Sequence, residues 1–255
     1  MPVPIYTTTC ISKSLIARGV YEFRFSKPEG FSFLPGQYVL FNVPLIDNPQ
    51  DVQIRALSLA SLPSEGELVF VAKIVPGGRA SRWIEELLSP GVTATFLGPF
   101  GRFLLNTTTD KDFLFIATGT GLAPFRPMIL QALTPPPPNP LPHASLGSAR
   151  ERGSPRIDLI VGVKSEEDIF WQEWLTTLSQ EHDNVFTHIA LSQPSAAWTG
   201  HRGRVQTLVP QIVRGDFSNK NIYACGSPAM TMDIKNLAIQ EWGMEKKDVH
   251  VEGYI

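Results

Sequence analysis

The sequence predicts two domains, an N-terminal antiparallel β-barrel followed by an α/β domain with a parallel sheet. Three observations carry this. Early in the chain Tyr21, Phe23 and Phe25 alternate with polar neighbours, the period of a half-buried strand, and more short strand candidates follow between Gly and Pro. From Phe113 onward, apolar runs alternate with helical patterns, which is how βαβ units read. The run at 113–117 then breaks into Thr118-Gly119-Thr120-Gly121-Leu122-Ala123-Pro124. Glycines there let backbone N–H groups close on a phosphate, and the helix behind turns its positive end to the same place.

In the first half the strand candidates are 37–42, 55–60, 68–74 and 93–97, joined by one helix at 81–88. Gly77-Gly78 precede that helix and Pro90-Gly91 close it. A polar, Thr-rich joint at 106–111 divides the chain into 1–107 and 108–255. The second half reads as strands at 113–117, 157–163, 185–191 and 221–225, and helices near 125–133, 168–178, 205–209 and 229–242. Its tail ends on a strand and an aromatic residue. Ligands of such sheets bind at the carboxyl ends of the strands, where Gly119 and Cys225 belong. Residues 134–155 fit neither pattern. Their prolines favour extended polyproline structure, read here as a surface insertion.

Composition narrows the function. A net charge of −2 gives no electrostatic reason to expect nucleic acid. Two cysteines, Cys10 and Cys225, are too few for a four-thiolate cluster or a disulfide framework, which fits a reducing cytoplasm. The histidines show no ligand spacing, so no metal is expected. The N-terminus lacks signal-peptide character, and no apolar run reaches the ~20 residues of a membrane span.

Three further constellations could carry chemistry. Arg55-Ala56-Leu57-Ser58 sets an arginine on a strand of small and apolar residues. Its guanidinium fork suits a phosphate, although a solvated or ion-paired edge arginine reads the same way. Gly77-Gly78-Arg79-Ala80-Ser81 enters a helix with Ser81 placed as N-cap, either a second anion site or an ordinary helix start. Tyr223-Ala-Cys225-Gly226-Ser-Pro228 ends the last main strand. No histidine lies near this cysteine in sequence, so a thiol nucleophile is poorly supported and a small buried hydrophobe is the simpler reading.

Taken in order, Arg55-x-x-Ser58, Gly77-Gly-x-x-Ser81, Gly98-Pro-Phe-Gly101, Gly119-Thr-Gly-Leu-Ala-Pro124, Cys225-Gly226 and Glu252-x-Tyr254 resemble the ferredoxin–NADP reductase superfamily. The resemblance implies a flavin-binding barrel over 1–107 and a nicotinamide-binding domain over 108–255. Arg55, with Ala56 and Leu57 beside it, would serve the flavin phosphate, and Ser58 would sit by flavin N5. Lys73 and Val75 would run beside FAD, with Gly77, Gly78, Ala80 and Ser81 at its pyrophosphate. Thr118, Gly119, Thr120, Gly121 and Pro124 would take the pyrophosphate of NAD(P)H. Cys225, Gly226 and Glu252 would border the nicotinamide, with Tyr254 near the flavin. Ser58, Cys225 and Glu252 are the residues the resemblance places at the hydride transfer.

The sequence departs from the family pattern in four places. Leu57 stands where Tyr is usual, and Ser227 interrupts Cys-Gly-Pro. Ile255 follows the terminal aromatic residue. Gln193 stands where NADPH-selective relatives often carry arginine, which leans towards NADH, while Lys164, Arg202 and Arg204 are placed to meet a 2′-phosphate. The expected function is an FAD-dependent NAD(P)H reductase that passes electrons to a separate protein acceptor, a ferredoxin, a flavodoxin or an oxygenase component. A free flavin reductase and a non-catalytic flavoprotein docking subunit are the alternatives.

Overall fold

The computed structural model describes residues 3–134 and 154–254, and it divides into two compact units. The first takes in Met1–Leu104 with the segments Gly119–Met128 and Glu167–Trp171, and the rest of the chain forms the second. Apart from its end residues, the proline-rich insertion predicted at 134–155 lies outside the described residues.

The first unit is a six-stranded sheet with antiparallel pairings in the order β4-β3-β6-β1-β2-β5. Its strands are β1 (Ile5–Ala17), β2 (Val20–Ser26), β3 (Tyr38–Leu45), β4 (Asn48–Ser58), β5 (Glu67–Lys73) and β6 (Thr93–Phe100). Just beyond β4, Ala60 N–H donates to Val69 of β5 at 2.8 Å, so the two ends of the sheet order meet. Inside, Phe41 has its ring centroid 5.1 Å from Phe70, 5.2 Å from Phe25 and 5.5 Å from Phe96. Tilted and edge-on rings at such spacings add to what their buried area contributes. β1 escapes apolar-alternation reasoning because Thr8 and Cys10 are its buried residues, and the Thr8 hydroxyl bonds the Ser26 carbonyl instead.

The helix expected at 81–88 is corrected. The α-helix α1 is short (Arg79–Arg82), with Gly78 rather than Ser81 as its N-cap, and it widens into a π-turn over Trp83–Leu87. Leu88 N–H reaches back to the Trp83 carbonyl at 2.9 Å, a five-residue step. That step brings Trp83 and Leu88, both buried, round to one side.

The second unit is a six-stranded parallel sheet in the order β10-β9-β8-β7-β11-β12. The strands are β7 (Asp112–Thr118), β8 (Ile157–Val163), β9 (Val185–Leu191), β10 (His201–Arg202), β11 (Lys220–Gly226) and β12 (Val249–Gly253). Helices α3 (Gln172–Glu181), α4 (Val205–Ile212) and α5 (Pro228–Gln240) belong to it, and α2 (Phe125–Leu133) follows the glycine turn after β7. α3 starts at Gln172 and not near 168, because Glu166–Asp168 is a 3₁₀ turn and Trp171 has a φ of 54°. β7 lies between β8 and β11 with Leu114, Phe115, Ile116 and Ala117 all at 0% exposure, which is why it reads as an unbroken apolar run. β8 and β9 continue to one side of β7, and β11 and β12 to the other. This reversal is the topological switch point, outside which ligands of open α/β sheets bind.

One ion pair with a buried carboxylate in this unit makes a stability prediction. Asp158 on β8 is 1% exposed and accepts two 2.8 Å bonds from Arg156. Burial alone would raise its carboxyl pKa, yet the Arg156 bonds, with His188 Nε2 3.6 Å away, hold it down at about 2. Arg156→Met is expected to cost about 2–3 kcal/mol at pH 7, the size of a hydrogen-bonded charge lost from a buried site. A folded pKa below the ordinary ~3.9 means stability present above pH 4 and lost as pH falls towards 2. Urea titrations should therefore show the gap between wild type and variant closing over that window, and a pH-independent gap would count against the pair.

Candidate active site

In the first unit, the proposed flavin residues come from β4 and from the turn after β5. β4 pairs with β3 so that Arg55 faces Phe41, Leu57 faces Val39 and Ser58 faces Tyr38. Alternation gives Asp51, Gln53 and Arg55 one face of the strand. Arg55 donates to its neighbour's carbonyl, Ile54 O, at 2.8 Å and to Gln53 Oε1 at 2.6 Å. Ala56 is exposed, Leu57 packs partly against the core and Ser58 is buried.

The turn from Val75 to Ser81 is fixed from within. Ser81 is buried and its hydroxyl accepts from Val75 N at 2.8 Å, while Gly78 N–H donates to Val75 O at 2.9 Å. A Cβ on Gly78 would stand 3.0 Å from that carbonyl and 3.1 Å from Ser81 Oγ, so a side chain there is tight. No side chain caps the first turn of α1, and an added Cβ at Gly77 would meet nothing within 4 Å. Open space beside uncapped amides fits the anionic part of FAD. Lys73 is committed elsewhere, donating to Asp168 Oδ1 at 3.1 Å and to the Arg18 carbonyl. What it offers a cofactor is backbone.

In the second unit, β7 and β11 end side by side, with Cys225 opposite Ala117, and β12 continues the register with Cys225 opposite Glu252 and Gly226 opposite Gly253. Gly226 has a φ of +141°, and a Cβ there would lie 2.1 Å from Thr118 Oγ1. Thr118 uses that oxygen to accept from Ser227 N at 3.1 Å, and Ser227 Oγ in turn caps α5 by accepting from Met230 N. Tyr254 N–H donates to Gly226 O at 2.8 Å, which holds the chain end against the turn. Gly119, in the 3₁₀ turn Gly119–Leu122 counted with the first unit, has nothing within 4 Å of a would-be Cβ among the described residues, leaving room at its backbone.

The electrostatics of this cluster come from burial. Cys225 is 0% exposed and its thiol pKa is pushed well up by burial, against a smaller downward effect of its bond with Tyr254. Such a thiol stays protonated, so it shapes a surface and does not attack. Burial also raises the Glu252 carboxyl to about 7. A carboxylic acid poised there holds or gives up a proton near neutral pH.

Of the residues considered for the coenzyme's 2′ position, Lys164 follows β8, Gln193 follows β9, Arg202 ends β10 and Arg204 is the N-cap of α4. Gln193 N–H donates to Lys164 O at 2.7 Å, and both side chains are exposed. Arg202 Nη2 is turned into a loop, donating to the carbonyls of Trp198 at 2.6 Å and Ser195 at 3.0 Å. Glu166, which sequence reasoning missed, accepts from Ser195 N at 2.9 Å and is held below its usual pKa by that loop. Only the folded register reveals it, since 29 residues separate the partners. Among the described residues no cluster of His, Cys, Asp and Glu is placed to hold a metal ion, and no helix is long and apolar enough to cross a membrane.

Comparison with known proteins agrees with this geometry. Residues 5–104 match the oxidoreductase FAD-binding domain family and residues 115–236 the oxidoreductase NAD-binding domain family. The chain is 33% identical over 244 residues to ferredoxin–NADP reductase B of Sorangium cellulosum, covering 92% of this chain and 91% of that protein. A ferredoxin–NAD(P)(+) reductase component of naphthalene 1,2-dioxygenase/salicylate 5-hydroxylase systems from Ralstonia is 30% identical, over 97% of this chain and 68% of its own length. The toluate 1,2-dioxygenase electron transfer component of Pseudomonas putida is 28% identical over 96% of this chain, which spans 64% of that relative. In fold, an Amycolatopsis cytochrome P450 reductase superposes with a TM-score of 0.82 at 23% identity, covering 99% of this chain and 71% of its own. A ferredoxin NADP+ reductase from Neisseria gonorrhoeae with bound FAD and NADP does so at 0.77 and 19%, covering 98% of each chain. With an FAD-binding half, an NAD-binding half and relatives of this identity along nearly its whole length, the chain belongs to the ferredoxin–NADP reductase superfamily and is an FAD-dependent NAD(P)H oxidoreductase.

Proposed function

We propose that this protein takes reducing equivalents from NADH and hands them to a separate protein carrier, a ferredoxin, a flavodoxin or an oxygenase component. The observation that carries it is the cluster Thr118, Cys225, Gly226 and Glu252 at the switch point of the second unit, in a chain whose relatives are named as ferredoxin reductases and oxygenase electron-transfer components. Residues 1–107 are read as the flavin-binding part and 108–255 as the nicotinamide-binding part. Two cysteines do not make a plant-type cluster within these 255 residues.

FAD, when bound, accepts a hydride and releases electrons singly. The chain's part is binding, orientation and proton control. Arg55 neutralises the flavin phosphate, and the Val75–Ser81 turn offers backbone donors to the rest of the anion. Ser58, buried at the end of β4, presents a hydroxyl to the flavin edge. Thr118, the Gly119–Pro124 turn and Gly226 seat the coenzyme, and Cys225 with Glu252 limits where the nicotinamide ring comes to rest, so that geometry supplies much of the rate. NADH is the coenzyme in this reading because Gln193 is uncharged and Arg202 is spent on its own loop.

The test is direct. Purified protein should be yellow after desalting, and anaerobic NADH should bleach it faster than NADPH. A colourless protein would favour the free flavin reductase, and bound flavin that resists both coenzymes would favour a docking subunit. Arg55→Ala is expected to weaken flavin retention at least tenfold, about 1.4 kcal/mol or more for a charge-assisted contact, read as the FAD dissociation constant.

A further inference from the structure

We infer that Asp51 is a positioning residue for FAD: through Arg79 it fastens the glycine turn after β5 to the strand that carries Arg55. The inference rests on the flavin reading above and adds residues to which that reading assigns nothing. β4 presents Asp51, Gln53 and Arg55 along one face, and each is engaged. Arg79 Nη1 donates to Asp51 Oδ1 at 2.9 Å and to the Asp51 carbonyl at 2.8 Å, and its Nη2 donates to Oδ2 at 3.0 Å. Gln53 Oε1 takes the Arg55 guanidinium at 2.6 Å. One strand face therefore holds both arginines, the one aimed at the flavin phosphate and the one that opens α1.

Three features separate this pair from an ordinary surface contact. The Arg79 side chain is only 14% exposed although Asp51 is 45% exposed. The contact is a two-pronged fork with an added main-chain bond, the geometry in which an arginine loses least freedom. A second, looser pair runs parallel to it, Arg82 Nη1 to Asp47 Oδ2 at 3.2 Å, joining the next residues of α1 to the β3–β4 hairpin. Arg79 follows Gly78 directly, so fixing its guanidinium fixes the turn held inside by Ser81 and Val75. With both terminal nitrogens directed at Asp51, Arg79 is placed to hold the turn, and the phosphate is left to Arg55 and backbone donors.

Two roles for Arg79 make opposite predictions about Asp51. If Arg79 holds the turn, removing either partner loosens FAD alike. If Arg79 binds the phosphate itself, removing Asp51 frees it and FAD binds as well or better. FAD release from the holoenzyme, followed by the rise in flavin fluorescence after dilution, separates them. Asp51→Ala and Arg79→Ala are each expected to speed release three- to tenfold, and the double variant no more than either single one, since both break one contact. The exchange Asp51→Arg with Arg79→Asp should recover most of the loss while urea midpoints stay within error of wild type. Wild-type release should quicken with added salt more steeply than Asp51→Ala release, because the part-exposed pair is screened in addition to the contact at Arg55.

Unchanged release in both single variants, or slower release in Asp51→Ala, would overturn the inference. In either case Arg55→Ala still releasing FAD leaves the flavin reading standing. A wild-type protein without FAD would overturn both.

Discussion

Gly226→Ala is expected to be strongly damaging, costing about 2–4 kcal/mol of stability, in the range of core overpacking and forbidden backbone. The added Cβ would stand 2.1 Å from Thr118 Oγ1, 2.7 Å from Thr118 O and 3.0 Å from Thr118 N, at a φ of +141° that a side chain rarely adopts. Two of those three atoms are backbone of the strand next to β11, so no rotamer relieves the clash. Thr118→Ala in the same chain would remove the nearest atom but also the acceptor for Ser227 N, the residue that caps α5. The double variant should therefore recover only part of the loss. Urea unfolding measures the first effect. Anaerobic stopped-flow measures the second, a fall of at least tenfold in flavin reduction with flavin still bound, about 1.4 kcal/mol of transition-state stabilisation. A Gly226→Ala protein as stable and as fast as wild type would sink the assignment.

What could be read beforehand follows from which physical signal each feature leaves in the chain. Strands buried on both faces announce themselves, and β8 falls where the apolar run at 157–163 puts it, while half-buried β9 still matches the run at 185–191. Helix α2 likewise runs Phe125–Leu133 as its pattern predicts. β1 leaves no such trace, since its inward Thr8 satisfies itself by hydrogen bonding. The π-turn at Trp83–Leu87 is invisible to a 3.6-residue period, and Ser81 looked like an N-cap because sequence does not show that Val75 takes its hydroxyl. In the site, glycine spacing marked Gly226 and Gly119, but pairings across distant segments left no sign. Asp51 and Arg79 are 28 residues apart, and Glu252 meets Cys225 only through the parallel register of β11 and β12. Motifs mark where backbone must be bare. Charge placement needs the folded register.

Glu252→Gln is expected to separate stability from activity by pH. Burial raises the Glu252 carboxyl to about 7, against ~4.3 for an unstructured glutamate. Between those values the folded chain keeps a proton that the unfolded chain has lost, so stability falls as pH rises through the interval and levels off above 7. Glutamine carries no such charge. The variant should match wild type below pH 4 and exceed it by up to about 4 kcal/mol at pH 8, from the gap between ~4.3 and about 7 at ~1.36 kcal/mol per pH unit. Activity should move the other way. In the proposed reading the Glu252 carboxyl borders the nicotinamide, so wild-type flavin reduction should depend on pH with a centre near 7, and the amide, unable to titrate, should give a flat profile over pH 6–8.5 with a lower rate. Urea midpoints and single-turnover rates on the same pH series check both halves. A stability gap that does not change with pH would place the raised pKa elsewhere. A wild-type rate already flat across pH 7 would remove Glu252 from the hydride step, even if the stability half held. Higher stability and lower activity in one variant are what a site residue kept for chemistry at a cost to folding should show.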